Sequence, residues 1–258
     1  MTGQHKSFSG TAHTRPKERG NAMIYVLVIV ALFAAINFIL SRQSDTGETN
    51  IVDQQRVDFY ATQIMDYSAQ MRDSVERMTM TGTDIDDITF FQQGDAEFDS
   101  DVTYPHYNKL YHPQGGGMIS ETFPAELAAP AGSAETGPDA GWYVGRFNNV
   151  EWSYSSAGGN DVLLVAYRIP QNVCERINEM IAGDDYVPPP QLTTQARTVL
   201  IDSQNTTPEH LQSNSEGHSG GTSDLDTTTC PDCDGVPSLC VQNNNGDVFA
   251  YYDLIGSQ

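Results

Sequence analysis

The feature that most constrains this chain is an uncharged run, Ala22–Leu40, reading AMIYVLVIVALFAAINFIL, 19 residues in all. As an α-helix rising about 1.5 Å per residue, it just spans a hydrocarbon core of roughly 30 Å. The run also divides the chain by charge. Residues 1–20 carry Lys6, Arg15, Lys17 and Arg19 against the single acid Glu18, a head of plus 3. From Ser41 onward, 9 basic residues stand against 33 acids, a body of minus 24. The positive-inside rule expects such a reversal of sign in a chain with a short cytoplasmic head and an exported body. A cleaved secretory signal, with an apolar region of about 7–15 residues, and a fully buried core helix are the alternatives; the length of the run favours a transmembrane helix. The whole chain of 258 residues has a formal charge of minus 21. Such a surface repels phosphate backbones and argues against nucleic acid as a partner.

The basic head ends Lys17-Glu18-Arg19-Gly20, and the apolar run starts after Asn21. This arrangement resembles the class III signal of type IV prepilins and pseudopilins, which a membrane peptidase cuts after a glycine on the cytoplasmic side. The resemblance implies cleavage between Gly20 and Asn21, with methylation of the new N-terminus and retention of the apolar helix. Glycine suits such a site because a backbone without Cβ is drawn into a peptidase cleft at little steric cost. Major pilins usually carry a glutamate at the fifth mature position; counted from Asn21, the fifth residue here is Tyr25. A glutamate in lipid is costly unless paired, so Tyr25 removes both that cost and an inter-subunit lock. The departure favours a minor or priming subunit over a bulk one.

Beyond the apolar run, Ser41–Asn50 is polar and contains a glycine, an expected interruption. Val57, Ala61, Ile64, Ser68, Met71, Val75 and Met78 then follow at alternating spacings of four and three. That spacing predicts a helix with one apolar face, its other face carrying Asp58, Asp66, Arg72, Asp73 and Glu76. The stripe is thin for a coiled coil and suits packing on the protein's own sheet. Thr81-Gly82-Thr83-Asp84 supplies a stop. Short β-branched or aromatic runs follow at 88–91, 142–147, 150–154, 162–169 and 248–254, and read as strands. Asn148-Asn149 and Asn243–Asp247 read as hairpin turns. Asn172–Ala182 is a short helix with Asn172 as N-cap, ending at Gly183. The expected fold is α+β: a long N-terminal transmembrane and amphipathic helix packed on an antiparallel sheet. Residues 1–20 form a basic leader, 21–41 the membrane helix and 42–83 a linker and amphipathic helix. Residues 84–190 form a β-rich domain, 191–229 a polar loop, and 230–258 a cysteine-containing C-terminal hairpin.

Arg19-Gly20-Asn21-Ala22, His112-Pro113-Gln114-Gly115-Gly116-Gly117, Val173-Cys174-Glu175-Arg176-Ile177-Asn178 and the terminal Val248–Ile255 follow one another in an order and spacing similar to those of pilin-like single-pass proteins of Gram-negative bacteria. The resemblance covers most of the chain except the polar loop, and implies a pilin-like fold without enzymatic activity. It implies a subunit of a surface filament or secretion apparatus, single-pass in the inner membrane with its N-terminus cytoplasmic and its acidic domain periplasmic or extracellular. The implied partners are the inner membrane, a prepilin peptidase, assembly-platform proteins and other pilin-like subunits. An uncleaved, signal-anchored periplasmic binding or accessory protein is the alternative.

Cys174, Cys230, Cys233 and Cys240 all follow the apolar run. An even number outside the cytoplasm favours two disulfides, with three pairings open. Joining Cys174 to a C-terminal cysteine would tie the short helix to the last strands. Cys230-Pro231-Asp232-Cys233 has the spacing of a redox or zinc motif, but no βαβ context surrounds it, and only Cys240, Cys174 and His218 could complete a zinc site. Asp95, Glu97, Asp99 and Asp101 alternate like the start of an EF-hand, yet Ser100 stands where glycine is required and His106 where the bidentate glutamate belongs. No cofactor is expected; calcium in this segment or around Asp224, Asp226, Asp232 and Asp234 is weighed against a solvated acidic surface, which is favoured. His112–Gly117 reads as a tight turn and not a phosphate cradle, since no Lys-Ser/Thr or helix follows it.

Overall fold

A computed structural model describes residues 26–33, 48–102, 104–135, 138–150, 161–189, 196–201, 223–225 and 230–257. The chain divides into two units, Met1–Asp53 and Gln54–Gln258. In the first, residues 26–33 form a helix, α1, with exposed side chains. Among the described residues, no helix is long and apolar enough to cross a membrane. Most of the run Ala22–Leu40 lies outside them, as do Gly20, Asn21 and Tyr25.

The expected amphipathic helix is α2, Glu48–Met80. It starts within the stretch expected as an interruption, whose residues before Glu48 lie outside the described ones. From Ala61 to Met78 every position of the spaced stripe is buried, Ser68 included. The stop is a Schellman motif: Gly82 sits at φ +99°, Thr83 N–H reaches Met78 O at 3.0 Å and Gly82 N–H reaches Thr79 O at 3.0 Å.

The fold of the second unit is α+β. Its sheet contains β1 (Gly141–Val150), β2 (Asp161–Tyr167), β3 (Ser223–Leu225), β4 (Ser238–Gln242) and β5 (Phe249–Gly256), in the order β3-β1-β2-β5-β4. Four strands are antiparallel, and β3 joins β1 in parallel at Asn148–Val150. Helices α3 (Gln171–Ala182) and α4 (Ala196–Leu200) complete the elements.

Strand alternation sorts the core into two layers. Trp142, Val144, Val162, Leu164, Ala166, Cys240, Phe249, Tyr251 and Ile255 share one cluster with the α2 stripe and with Val173, Cys174 and Ile177 of α3. Tyr143, Leu163, Val165, Tyr167, Leu239, Val241, Ala250 and Tyr252 face the other way, toward Val199, Leu200 and Ile201. All seven residues of β2 are therefore buried, which explains its unbroken apolar run.

Several expectations are corrected. Asn148-Asn149 is not a turn: it lies within β1, which is irregular between Gly145 and Asn148 and runs to Val150, while residues 151–154 of the second expected run lie outside the described residues. Residues 88–91 form no strand; Thr89 makes an isolated parallel bridge with Lys109. Asn172 lies inside α3; Pro170 is the N-cap, and its carbonyl accepts from Val173 and Cys174 N–H, both at 3.1 Å. The polar loop holds α4 and β3, and β4 precedes the Asn243–Asp247 hairpin turn.

Candidate functional site

The one polar position in the α2 stripe has a specific partner. Ser68 donates to the carboxylate of Asp253, and so does Arg72 one turn further along. Asp253 lies on β5 with its side chain turned to the helix, wholly buried, whereas the Arg72 side chain is 43% exposed. Burial raises the Asp253 carboxyl above its ordinary value, and the Ser68 bond and the Arg72 charge oppose this without cancelling it. A cleft of about 320 Å³ opens beside this pair, lined by Val75, Thr79, Ile85, Ile255 and Gly256 among others. A Cβ on Gly256 would stand 2.1 Å from Ile85 Cδ1, so the end of that side chain would have to shift to admit one.

Between α2 and β1, the described residues from Thr81 to Ala140 form only short 3-10 turns and isolated bridges, and an ammonium organises part of them. Lys109 is fully buried and donates to the carbonyls of Glu97 (2.7 Å), Phe98 (3.0 Å) and Ser100. The segment Asp95–Asp101 weighed as a calcium loop thus turns three of its carbonyls onto a lysine. Burial lowers the Lys109 value, and Asp101, Asp99 and Glu97 pull it back up. Among the described residues, no group of three or more His, Cys, Asp or Glu is arranged to hold a metal ion.

His112–Gly117 forms the expected turn, packed on Lys109 and Leu110. Gly116 N–H meets Lys109 O at 3.1 Å, and Met118 N–H meets Leu110 O at 3.1 Å. A Cβ on Gly115 would stand 2.2 Å from Lys109 O, and one on Gly116 would stand 2.4 Å from Leu110 O. The turn touches α2 through Arg77, which donates to Gly116 O at 3.3 Å. Tyr111 beside it shares a 2.9 Å hydroxyl–hydroxyl hydrogen bond with Tyr67 of α2; burial holds the Tyr111 phenol well above its ordinary value.

The segment Val173–Asn178 fastens the edge of the sheet. Val173 and Ile177 enter the core, and Cys174 is disulfide-bonded to Cys240 of β4. Asn178 Nδ2 donates to Cys240 O at 2.9 Å and to Tyr186 O at 2.8 Å, while its Oδ1 accepts Cys240 N–H at 2.8 Å. Next along, Gln242 N–H bonds Pro188 O at 3.0 Å. Asn178 therefore does for β4 what another strand would do.

Cys230 and Cys233 form the second disulfide, both buried. Of the three open pairings, the protein uses 174–240 with 230–233. No described cysteine is free, and disulfide sulfurs leave no thiolates for zinc. His218, the other zinc candidate, and Asp226 lie outside the described residues. Asp232 and Asp234 are exposed. Glu135 passed unnoticed in an Ala/Pro/Gly stretch; it is buried, accepts from Tyr167, and receives Ala196 N–H (3.0 Å) and Arg197 N–H (2.8 Å) at the start of α4. Burial pushes the Tyr167 phenol up, and the Glu135 charge adds to this.

Compared with family profiles, curated proteins and solved structures, the chain finds no match.

Proposed function

We propose that this protein is a membrane-anchored, pilin-like or minor pseudopilin-like subunit without enzymatic activity, working in a surface filament or secretion apparatus. The observation that carries this reading is the buried stripe of α2 packed on a predominantly antiparallel sheet, following a basic head, a glycine and an uncharged run in the order of a prepilin. Disulfides at both 174–240 and 230–233 suit a body outside the cytoplasm. In this reading the basic head stays cytoplasmic, a prepilin peptidase cuts after Gly20, and the helix from Asn21 holds the subunit in the inner membrane. Assembly then exchanges lipid for helix contacts with other pilin-like subunits, driven by packing at close approach. Tyr25 in place of glutamate points to a minor position. Calcium forms no part of the reading, since Lys109 already donates to three carbonyls of the acidic loop.

The test is the intact mass of the protein recovered from its host membrane. A mature chain beginning at Asn21, with a methyl group on its amine, is expected. A chain that keeps residues 1–20 overturns the proposal in favour of an uncleaved signal-anchored accessory protein.

A further inference from the structure

The imidazoles of His106 and His112 lie face to face, with ring centroids 4.0 Å apart and planes 19° apart. Phe98 packs against His112 at 5.3 Å, so the two histidines and the phenylalanine form a short stack over the Lys109 loop. The geometry fixes the protonation of the inner ring. Gln114 N–H donates to His112 Nδ1 at 3.2 Å, so Nδ1 carries no proton and the ring is neutral. His106 is differently placed: its own N–H donates to Asp101 Oδ1 at 2.7 Å, its Nδ1 is 3.8 Å from the same carboxylate, and its Nε2 is 3.4 Å from Asp99 O.

We infer that the His106–His112 stack is an acid-sensitive latch that keeps the His112–Gly117 turn closed on α2 at neutral pH and releases it on acidification. A proton on His112 Nδ1 confronts the Gln114 N–H and ends that hydrogen bond, and it sets two cations face to face. The charged groups around the stack are Asp99, Asp101, His106 and Lys109, with Arg77 of α2 reaching the turn at Gly116 O. Burial and the positive charges of His106 and Lys109 hold His112 below its ordinary value, outweighing Asp99 and Asp101. A group with a lowered folded value contributes stability above its unfolded value, near 6.5 for histidine, and loses it as pH falls through the folded value.

The test is amide hydrogen exchange of the full chain in detergent, read on residues 114–118 at pH 7.5 and 5.0 after correction for intrinsic rates. Protection is expected to fall about tenfold or more at acid pH, while α3 is unchanged. His112→Asn keeps an oxygen that can accept the Gln114 N–H in an Asx-turn and does not titrate, so its protection should be the same at both pH values. His106→Phe keeps the stack without the charge and should move the transition to higher pH, because the repulsion from His106 that lowers His112 is gone. Unchanged wild-type protection, or an equal loss in His112→Asn, overturns the latch. Should His112→Asn not fold, the imidazole titration of wild-type His112 decides: a midpoint coinciding with the loss of protection supports the latch, and a separate midpoint overturns it.

Discussion

Arg72 and Asp253 are partners with unequal access to water, and this predicts an asymmetry between their substitutions. Arg72→Met leaves a buried carboxylate with Ser68 alone and is expected to cost about 3 kcal/mol. Asp253→Asn leaves a guanidinium that water can reach, and is expected to cost about 1 kcal/mol or less. Chemical denaturation of the two variants followed by Trp142 fluorescence checks the order. The pH dependence has a definite sign. With its folded value raised, Asp253 contributes stability below the ordinary carboxylate value, near 3.9, and loses it as pH rises through the folded value. The stability of Asp253→Asn relative to wild type should therefore improve from pH 4 to pH 7. Asp247 behaves oppositely: the Ser133 hydroxyl and N–H, both at 2.6 Å, and Asn243 Nδ2 at 2.7 Å hold its carboxyl below the ordinary value. Its contribution is present above that value and lost as pH falls through the folded one. The glycines of the turn also divide. Gly115→Ala and Gly116→Ala meet backbone oxygens and should cost about 3 kcal/mol or more, whereas Gly117→Ala, at φ +63° with open space around it, should cost about 1 kcal/mol. Thermal melts of the three variants separate the two kinds of glycine.

Helices and strands were legible in proportion to how local their causes are. The α2 stripe, its Schellman stop and the α3 end at Gly183 are written within a few residues, and all three are present. Ser68 read as a weak core position because its partner lies 185 residues away. The same distance in sequence hid Asn178, whose role exists only once β4 arrives, and Glu135, which serves a helix 61 residues further on. Strand β4 buries Leu239, Cys240 and Val241 in succession but is only five residues long, too short a signal between a 3-10 turn and a hairpin. The Asn148-Asn149 pair misled because a bulged strand and a tight turn draw on the same residues. At this scale the disulfides are unequal. In the chain-entropy picture, closing a loop of sequence separation 66 contributes about 4 kcal/mol and one of separation 3 about 2 kcal/mol. Replacing Cys174 and Cys240 together by serine should therefore lower the denaturation midpoint further than replacing Cys230 and Cys233.

A net charge of minus 21 on 258 residues makes self-repulsion a property of the whole chain. The melting temperature should rise by a few degrees as salt is raised from about 10 mM to 200 mM, over which the screening length falls from roughly 30 Å to below 10 Å. A flat or falling melting temperature would mean that internal pairs such as Arg176 with Asp58, at 2.7 Å, outweigh the repulsion. The contact between Ser68 and Asp253 has one more consequence, in time. At about 5–20 residues per second, the 185 residues between them take roughly 10–40 s to synthesise. Throughout that interval the apolar stripe of α2 has been made and its cover is incomplete: Trp142, Val144 and Leu164 of β1 and β2 arrive first, and Phe249, Tyr251 and Ile255 of β5 last. The nascent protein therefore carries a helix whose apolar face is only partly covered until β5 is made.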